Sequence, residues 1–288
     1  MLEMVWQYNP SEKIAQVKPA TFRAARTILE TGNDGFAEFL NAASLAQSNV
    51  RKVMQVAAAD IGLSEVRGQA PPQVPFAAVL SCADARVPVE LIFDQHANDL
   101  FVVRVAGNIP GTECLGSLHY AVTHMGSIRL LAVIGHTGCG GITAAVEAYL
   151  SPSAYMVLAT NPSLRSIVDG AIAAVRAAME ALSEVYGADV SLRRGFRAAL
   201  IELSVMLHAA VTASVLEYTF RDVLGEHLGV VYGVYNLGNH RVGLPGEYRS
   251  EDNWNPGLFA PFHEPDGLPT LSRRLAQSPF IEDLLDQA

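Results

Sequence analysis

The sequence predicts an α/β fold: a central, mostly parallel β-sheet flanked by helices. Short apolar segments of strand length recur along the chain, each followed by glycine or small polar residues, at 76–81, 99–105, 130–134 and 230–235. Segments with helical spacing of apolar residues alternate with them, at 88–93, 114–125, 141–150 and 193–224. Strands that are apolar on both faces are typical of a parallel sheet covered by helices, and the alternation is typical of α/β proteins.

The N-terminal part of the chain precedes this alternation and has helical character. Residues 19–43 place apolar side chains at helical spacing. The sequence Thr31-Gly32-Asn33 is predicted to break this helix into two pieces, because glycine and asparagine favour turns. We therefore predict an N-terminal helical arm over residues 1–65.

Changes in composition divide the rest of the chain. Residues 66–244 contain all the alternating segments and are predicted to form the α/β domain, which begins with a loop at 66–75 that is rich in glycine, proline and glutamine. A long alanine-rich insert at 151–192 has helical patterning and carries no chemical motif. Residues 245–288 are rich in proline, glycine and charge, and we expect this C-terminal extension to wrap over a surface.

The charge balance argues against two classes of partner. The chain has 288 residues, with 29 acidic against 20 basic side chains and a net charge of −9, and it has no dense run of lysine or arginine. Nucleic acids and anionic membranes attract basic surfaces, so we expect neither as a main partner. The length is sufficient to bury a substantial core without disulfides.

We expect a cytoplasmic protein without a membrane span. Residues 1–13 lack the basic region followed by an apolar stretch that marks a signal peptide. The longest apolar stretch, 198–216, contains Glu202 and His208, which favours a buried or interface helix over a membrane span. Three cysteines cannot form a disulfide framework, and a reducing compartment suits thiolate ligands.

Two short motifs carry the chemistry. The first contains Cys82 in Ser-Cys-Ala-Asp-Ala-Arg, and the second contains His136 and Cys139 in Gly-His-Thr-Gly-Cys-Gly-Gly. Two thiolates and one imidazole form a soft ligand set suited to zinc, and three protein ligands leave a fourth position open, as in catalytic zinc sites. Cys114 has no partner motif, and we interpret it as a small buried side chain.

Asp84 and Arg86 flank the first cysteine ligand, and their spacing leaves two functions open. Asp84 could be a fourth ligand that closes the site. Alternatively, a bidentate bond from Arg86 could hold Asp84 off the metal, leaving the carboxylate to accept a hydrogen bond from metal-bound hydroxide. Both motifs follow predicted strands directly, and ligands of open α/β sheets bind beyond the carboxyl ends of strands, so we expect Cys82 and His136 at neighbouring strand ends.

The motifs and their surroundings resemble one family, the β-class carbonic anhydrases. The resemblance includes the sequence around both motifs, and it is strongest over residues 70–150, with a looser match over 20–245. The matching segments beyond the metal motifs are Gln73-Val74-Pro75-Phe76, Arg86-Val87-Pro88, Glu90-Leu91-Ile92-Phe93-Asp94-Gln95 and Asp99 to Asn108.

The resemblance implies an activity, a cofactor and roles for the motif residues. The activity is the reversible hydration of CO2 to bicarbonate and a proton by zinc-bound hydroxide. The resemblance makes Cys82, His136 and Cys139 the zinc ligands and makes Asp84 and Arg86 the catalytic dyad.

The resemblance also implies four substrate contacts. Gln73 matches a glutamine that hydrogen-bonds the substrate. Phe101 and Tyr120 match aromatic positions of the substrate pocket that are often supplied across a dimer interface. The N–H of Gly140 matches a donor to bicarbonate. The family forms homodimers and larger homo-oligomers, and we expect the same here.

The resemblance leaves other functions open. Some relatives hydrolyse carbonyl sulfide or carbon disulfide on the same fold, and the zinc ligands do not discriminate between these substrates and CO2. A catalytically silent assembly or regulatory homologue is a further alternative, although all five ligand and dyad residues are present. The segment 236–240 departs from the family pattern, and the extension after 245 matches no part of it.

Overall fold

The computed structural model describes residues 2–10, 18–45, 50–64, 66–224, 227–264 and 266–287. The expectation that no signal peptide is present concerns residues 1–13, of which 1 and 11–13 lie outside these ranges. The strands are, in chain order, β1 (Leu2–Tyr8), β2 (Val50–Val56), β3 (Ala77–Ser81), β4 (Leu100–Arg104), β5 (Leu130–His136), β6 (Gly229–Tyr235), β7 (Val242–Pro245) and β8 (Trp254–Pro256). The α-helices are α1 (Phe22–Leu45), α2 (Val89–Ile92), α3 (Thr112–His124), α4 (Gly140–Leu150), α5 (Pro152–Ala159), α6 (Pro162–Tyr186), α7 (Phe196–Phe220), α8 (Gly267–Ala276) and α9 (Pro279–Asp286).

The predicted α/β fold is confirmed. Six strands form one sheet in the order β4-β3-β5-β6-β7-β8. The four strands from β4 to β6 are parallel, and β7 and β8 add to one edge in antiparallel orientation. All four predicted strands exist with boundaries shifted by at most two residues. Each is apolar because helices cover both faces of the sheet.

Alternation along the strands builds two separate cores. On β3, Ala78 and Leu80 join a large core that includes side chains of α3, α4, α6 and α7. Ala77 and Val79 face the opposite way, into a smaller core under α1 and α2. Cys82 continues the Ala78–Leu80 side, so this alternation directs its thiol to the face of the large helical layer.

The predicted break in the first helix is wrong, because α1 runs without interruption from Phe22 to Leu45. Gly32 allows close packing instead of a turn: an added Cβ would lie 1.9 Å from the carbonyl oxygen of Phe93. Asn33 is buried, donates to the carbonyls of Ile92 and His240, and accepts from the N–H of Val242. Tertiary contacts thus use both residues that locally favour a turn.

The N-terminal arm also contains strands that the sequence pattern did not predict. β1 and β2 form a separate two-stranded parallel sheet. On β2 the burial pattern leaves most residues exposed or partly exposed, and the polar residues Arg51, Lys52 and Gln55 interrupt its apolar ones. A short mixed sequence of this kind gives a weak strand signal, and pairing between distant segments decides its structure.

The insert and the C-terminal extension both add helices to the face of the sheet that α3, α4 and α7 cover. The insert forms α5 and α6, and the extension adds β8 to the sheet edge and supplies α8 and α9, which pack against α7. Within the described ranges, α7 is the one helix whose length and composition would allow it to cross a membrane, and 78% of its most apolar window is buried in the fold. This burial is the environment of a core helix.

Candidate metal centre

Two adjacent strand ends bring the chemical motifs together, as predicted. Cys82 follows β3 directly, and His136 is the last residue of β5. β3 and β5 are parallel neighbours in which Ser81 pairs with Ile134, so both chains leave the sheet at the same edge. We call residues 82–86 the first loop and residues 136–139 the second loop.

Cys82, His136 and Cys139, the metal cluster, are buried, and their donor atoms all lie within 4.8 Å of one another. The two Sγ atoms are 3.9 Å apart. On the imidazole, Nδ1 lies 3.0 Å from the carbonyl oxygen of Thr137, which can only accept, so Nδ1 carries the proton. The deprotonated Nε2 is buried and has no hydrogen-bond partner within the described chain. A lone pair turned toward two thiols is what a metal ion would satisfy.

The electrostatics of the two thiols favour one thiolate in the cluster. The hydrogen bond from Cys139 lowers the pKa of Cys82, and the backbone N–H groups of Asp84 and Gly107 lower it further. The same thiol–thiolate bond, together with burial, raises the pKa of Cys139. The pair therefore retains one proton, which a bound cation would displace because metals bind thiolates.

Asp84 is held by Arg86 in a bidentate ion pair. Arg86 Nε donates to Asp84 Oδ1 at 2.9 Å, its terminal nitrogen donates to Oδ2 at 2.7 Å, and its backbone N–H also reaches Oδ1. These bonds, the side-chain bond foremost, hold the pKa of Asp84 well below its usual range. Oδ2 also lies 3.8 Å from Nε2 of His136. Of the two arrangements left open by the sequence, this geometry matches the one in which Arg86 restrains the carboxylate.

A second arginine supports the first loop from the neighbouring strand. Arg104, at the end of β4, donates through Nε to the carbonyl of Cys82 at 2.9 Å and through a terminal nitrogen to the carbonyl of Asp84. The loop is thus fixed from both sides by guanidinium groups. Their planar arrays of donors suit this kind of multiple bonding.

The second loop is held by groups of different chemistry. The N–H of Thr137 donates to the carbonyl of Tyr235, and its hydroxyl oxygen accepts from the N–H of Leu237. The N–H of Gly138 donates to Oε1 of Glu202 on α7 at 2.8 Å. Burial raises the pKa of Glu202 to about 7, although the Gly138 bond offsets part of this shift.

The structure places the four predicted substrate residues on four different segments. Gln73 is exposed in the loop before β3 and forms no hydrogen bond within the described ranges. Tyr120 on α3 is 53% exposed and stacks on His124, with ring centroids 4.9 Å apart. Phe101 on β4 packs against the large core. Gly140 is exposed in the first turn of α4, where N–H groups lack intrahelical acceptors.

The family model described as carbonic anhydrase matches residues 77–241, more than half of the chain. The match includes both loops and the metal cluster. The chain belongs to the carbonic anhydrase family. This family uses zinc, in agreement with the cofactor predicted from the donor set.

Individual relatives match over shorter segments. Carbonic anhydrase 2 of Mycobacterium tuberculosis is 47% identical over 81 residues, which cover 28% of this chain and 39% of that protein. The carbonic anhydrase of Emericella nidulans is 38% identical over 93 residues, covering 31% of this chain and 38% of that protein. The chain therefore spans well under half the length of these relatives.

Among solved structures, the β-carbonic anhydrase of Coccomyxa in complex with acetazolamide has a TM-score of 0.46 and 21% identity, covering 74% of this chain and 82% of that chain. The β-carbonic anhydrase CcaA has the same TM-score and identity, covering 59% of this chain and 79% of that chain.

The sequence interpretation did not assign a function to Glu202 or a structural bond to Arg104. Glu202 is the acidic residue of an apolar stretch, and a charged side chain within such a stretch is normally paired when buried. That rule could have marked Glu202 for attention. It could not have identified Gly138 as the partner, which lies 64 residues away in the chain.

Proposed function

We propose that the protein catalyses the reversible hydration of CO2 to bicarbonate and a proton, with zinc held by Cys82, His136 and Cys139. The observation that carries the proposal is the buried imidazole nitrogen of His136, which has no partner in the described chain and lies beside two thiols in a member of the carbonic anhydrase family. Bound zinc supplies Lewis-acid chemistry, lowering the pKa of water far enough for a nucleophile to form near neutral pH.

Asp84 acts as a hydrogen-bond acceptor in this proposal. Its pKa is well below its usual range, so at neutral pH both carboxylate oxygens accept and neither donates. Oδ2 lies near Nε2 of His136 and is thereby placed to accept a hydrogen bond from a group bound at the metal cluster. Arg86 prevents the carboxylate from rotating and keeps it ionised.

The proposal gives the remaining predicted residues the task of holding CO2 or bicarbonate. Gln73 offers an amide, Phe101 and Tyr120 offer apolar ring surfaces, and Gly140 offers a backbone N–H. Tyr120 and Gln73 are exposed in a single chain, and a homo-oligomer that covers them would complete the pocket. A reducing, cytoplasmic location would preserve the two thiols as ligands.

Stopped-flow CO2 hydration by the zinc-loaded wild type and Asp84→Asn tests the proposal. We expect the variant to retain zinc and to lose about 10²- to 10⁴-fold in rate, because an amide cannot replace the ionised acceptor. Asp94→Asn is the matched control. Asp94 pairs with Lys52 and has a φ of 53°, a conformation that asparagine tolerates, so its rate should be unchanged.

Equal rates in wild type and Asp84→Asn would remove Asp84 from the mechanism. The family description and the names of the relatives support neither sulfide hydrolysis nor a silent homologue. Release of sulfide from carbonyl sulfide, measured on the same zinc-loaded sample, separates these alternatives. Fast sulfide release with negligible CO2 hydration would contradict the proposed substrate, and absence of both activities would contradict the proposed enzyme.

A further inference from the structure

One peptide unit of the second loop is hydrogen-bonded at both of its polar atoms. Its carbonyl, from Thr137, accepts from Nδ1 of His136 at 3.0 Å. Its N–H, from Gly138, donates to Oε1 of Glu202 at 2.8 Å. Glu202 is therefore connected to the imidazole through a single peptide group. The other imidazole nitrogen, Nε2, belongs to the metal cluster.

The carboxylate of Glu202 is an unusual choice for this position. α7 is otherwise apolar along this stretch, and Oε2 of Glu202 is buried with no hydrogen-bond partner within the described chain. A neutral asparagine, glutamine or serine could accept from one N–H without burying a charge, which is costly when the charge is incompletely paired. The feature that needs an explanation is thus the negative charge itself, beyond the single hydrogen bond.

The backbone of Gly138 is shaped to make this bond. Its φ is +65°, in the left-handed region that glycine adopts without strain. A Cβ at this residue would meet no atom within 4 Å, so lack of space does not explain the glycine. The left-handed conformation explains it, and this conformation sets the direction of the N–H that Glu202 accepts.

We propose that Glu202 is a positioning residue for the metal, acting on His136 through the peptide group between Thr137 and Gly138. Above about pH 7, where Glu202 is ionised, its negative charge polarises that peptide, which makes the Thr137 carbonyl a stronger acceptor for the Nδ1 proton. The proton is thereby fixed on Nδ1, and Nε2 becomes a stronger donor to the metal. The inference rests on the proposed zinc function.

General features of hydrogen bonding and metal sites support this relay. Hydrogen bonds arranged in a chain polarise one another, and the effect is larger where water is excluded. Metal-binding histidines usually donate their second N–H to a carboxylate or a backbone carbonyl, which fixes the tautomer and raises ligand basicity. Here a carbonyl and a carboxylate act in series on the same imidazole.

Zinc affinity, measured at about pH 8.5 by competition with a chromophoric chelator, tests the relay in wild type, Glu202→Gln and Glu202→Ala, because Glu202 is ionised at this pH. We expect Glu202→Ala to bind zinc about 10- to 100-fold more weakly, the usual cost of removing such an outer partner. Glu202→Gln retains an oxygen acceptor without the charge, so its zinc affinity should lie between those of the wild type and Glu202→Ala. The matched control is Glu217→Gln, fifteen residues further along α7, where the carboxylate pairs with His263 and should not affect zinc.

Two spectroscopic measurements distinguish a relay from simple support of the loop. With cobalt(II) in place of zinc, both Glu202 variants should shift the visible absorption bands of the bound ion. In metal-free, ¹⁵N-labelled protein, the Nδ1 proton of His136 should move upfield in Glu202→Gln, because its acceptor carbonyl is less polarised. The Glu217→Gln control should match the wild type in both spectra.

Wild-type zinc affinity and unchanged spectra in Glu202→Gln would overturn the inference, and this variant is decisive if Glu202→Ala does not fold. A wild type that binds no zinc would overturn the inference as well. Because affinity is measured without CO2, a wild type that binds zinc tightly but does not hydrate CO2 would contradict only the proposed activity.

Discussion

The two loops that meet at the metal cluster are held by opposite chemistry. In the first loop, guanidinium groups bind a carboxylate and backbone carbonyls: Arg86 binds Asp84, and Arg104 binds the carbonyls of Cys82 and Asp84. In the second loop, a carboxylate from α7 accepts a backbone N–H. Cationic guanidinium groups donate hydrogen bonds to acceptors of the first loop, whereas the carboxyl group of Glu202 accepts a hydrogen bond from an N–H of the second loop.

The loops also differ in how far along the chain their supports lie. Arg86 and Asp84 are two residues apart, and Arg104 lies twenty residues from Asp84. Glu202 lies 64 residues from Gly138 and reaches it only because α7 packs against the sheet. Two halves of one site, built at adjacent strand ends, can thus depend on sequence neighbours in one case and on helix packing in the other.

The largest effect is expected from removing one ligand from each loop. Zinc binding of about 10–16 kcal/mol shared among its ligands amounts to roughly 3 kcal/mol or more per ligand. Cys82→Ser and His136→Ala should therefore each weaken zinc binding by about 10²-fold or more and lower the zinc content after dialysis. Cys114→Ser is the control, since this partly buried thiol lies outside the cluster.

Equal losses in the two ligand variants would show that the loops form one site. A Cys82→Ser protein that retains full zinc content would contradict this and would place the metal mainly on the second loop.

A second prediction concerns His208, a buried histidine on α7 near the backbone of Gly107. Burial lowers the pKa of His208 to about 4, and the Gly107 backbone offsets only part of this shift. Between about pH 6.5 and pH 4, His208 is protonated in the unfolded chain but neutral in the folded chain. The stability conferred by neutral His208 is thus complete above pH 6.5 and is lost as the pH falls toward 4, by up to about 3 kcal/mol.

Urea unfolding of the metal-free proteins at pH 7 and pH 4.5 measures this effect. The wild type should lose about 2 kcal/mol more than His208→Leu between these pH values, because the variant has no group to titrate. Equal losses would show that the ring is not kept neutral by the fold.

The smallest effect is expected from Arg104→Ala. One of its two bonds to carbonyls is exposed to solvent and the other is partly buried, so we expect a loss of about 1 kcal/mol in stability and a few-fold loss in zinc affinity. Arg129→Ala is the matched control, because Arg129 also donates to backbone carbonyls, of Gly126 and Ile128, away from the metal cluster. Chemical denaturation and chelator competition should show similar stability losses in the two variants and weaker zinc binding only in Arg104→Ala.

Much of the fold could be predicted because burial on both faces gives the strands a continuous apolar sequence. The same signal missed β1 and β2, whose residues are mostly exposed and whose pairing joins segments over forty residues apart. It also misjudged Gly32 and Asn33, since a turn-favouring residue can be recruited within a helix to pack against, or bond to, a distant backbone. The division into domains and the roles of the substrate residues remain predictions.

The sequence by itself determined the donor set, the dyad and the strand-end position of both motifs. These depend on residue type and short spacing: thiolate and imidazole suit zinc, and a carboxylate two residues from an arginine is within reach of a bidentate bond. Only the tertiary structure decided which nitrogen of His136 is free, how Cys82 and Cys139 share a proton, and that Glu202 reaches Gly138. Those properties arise from burial and from hydrogen bonds between distant segments, and both exist only when the chain is folded.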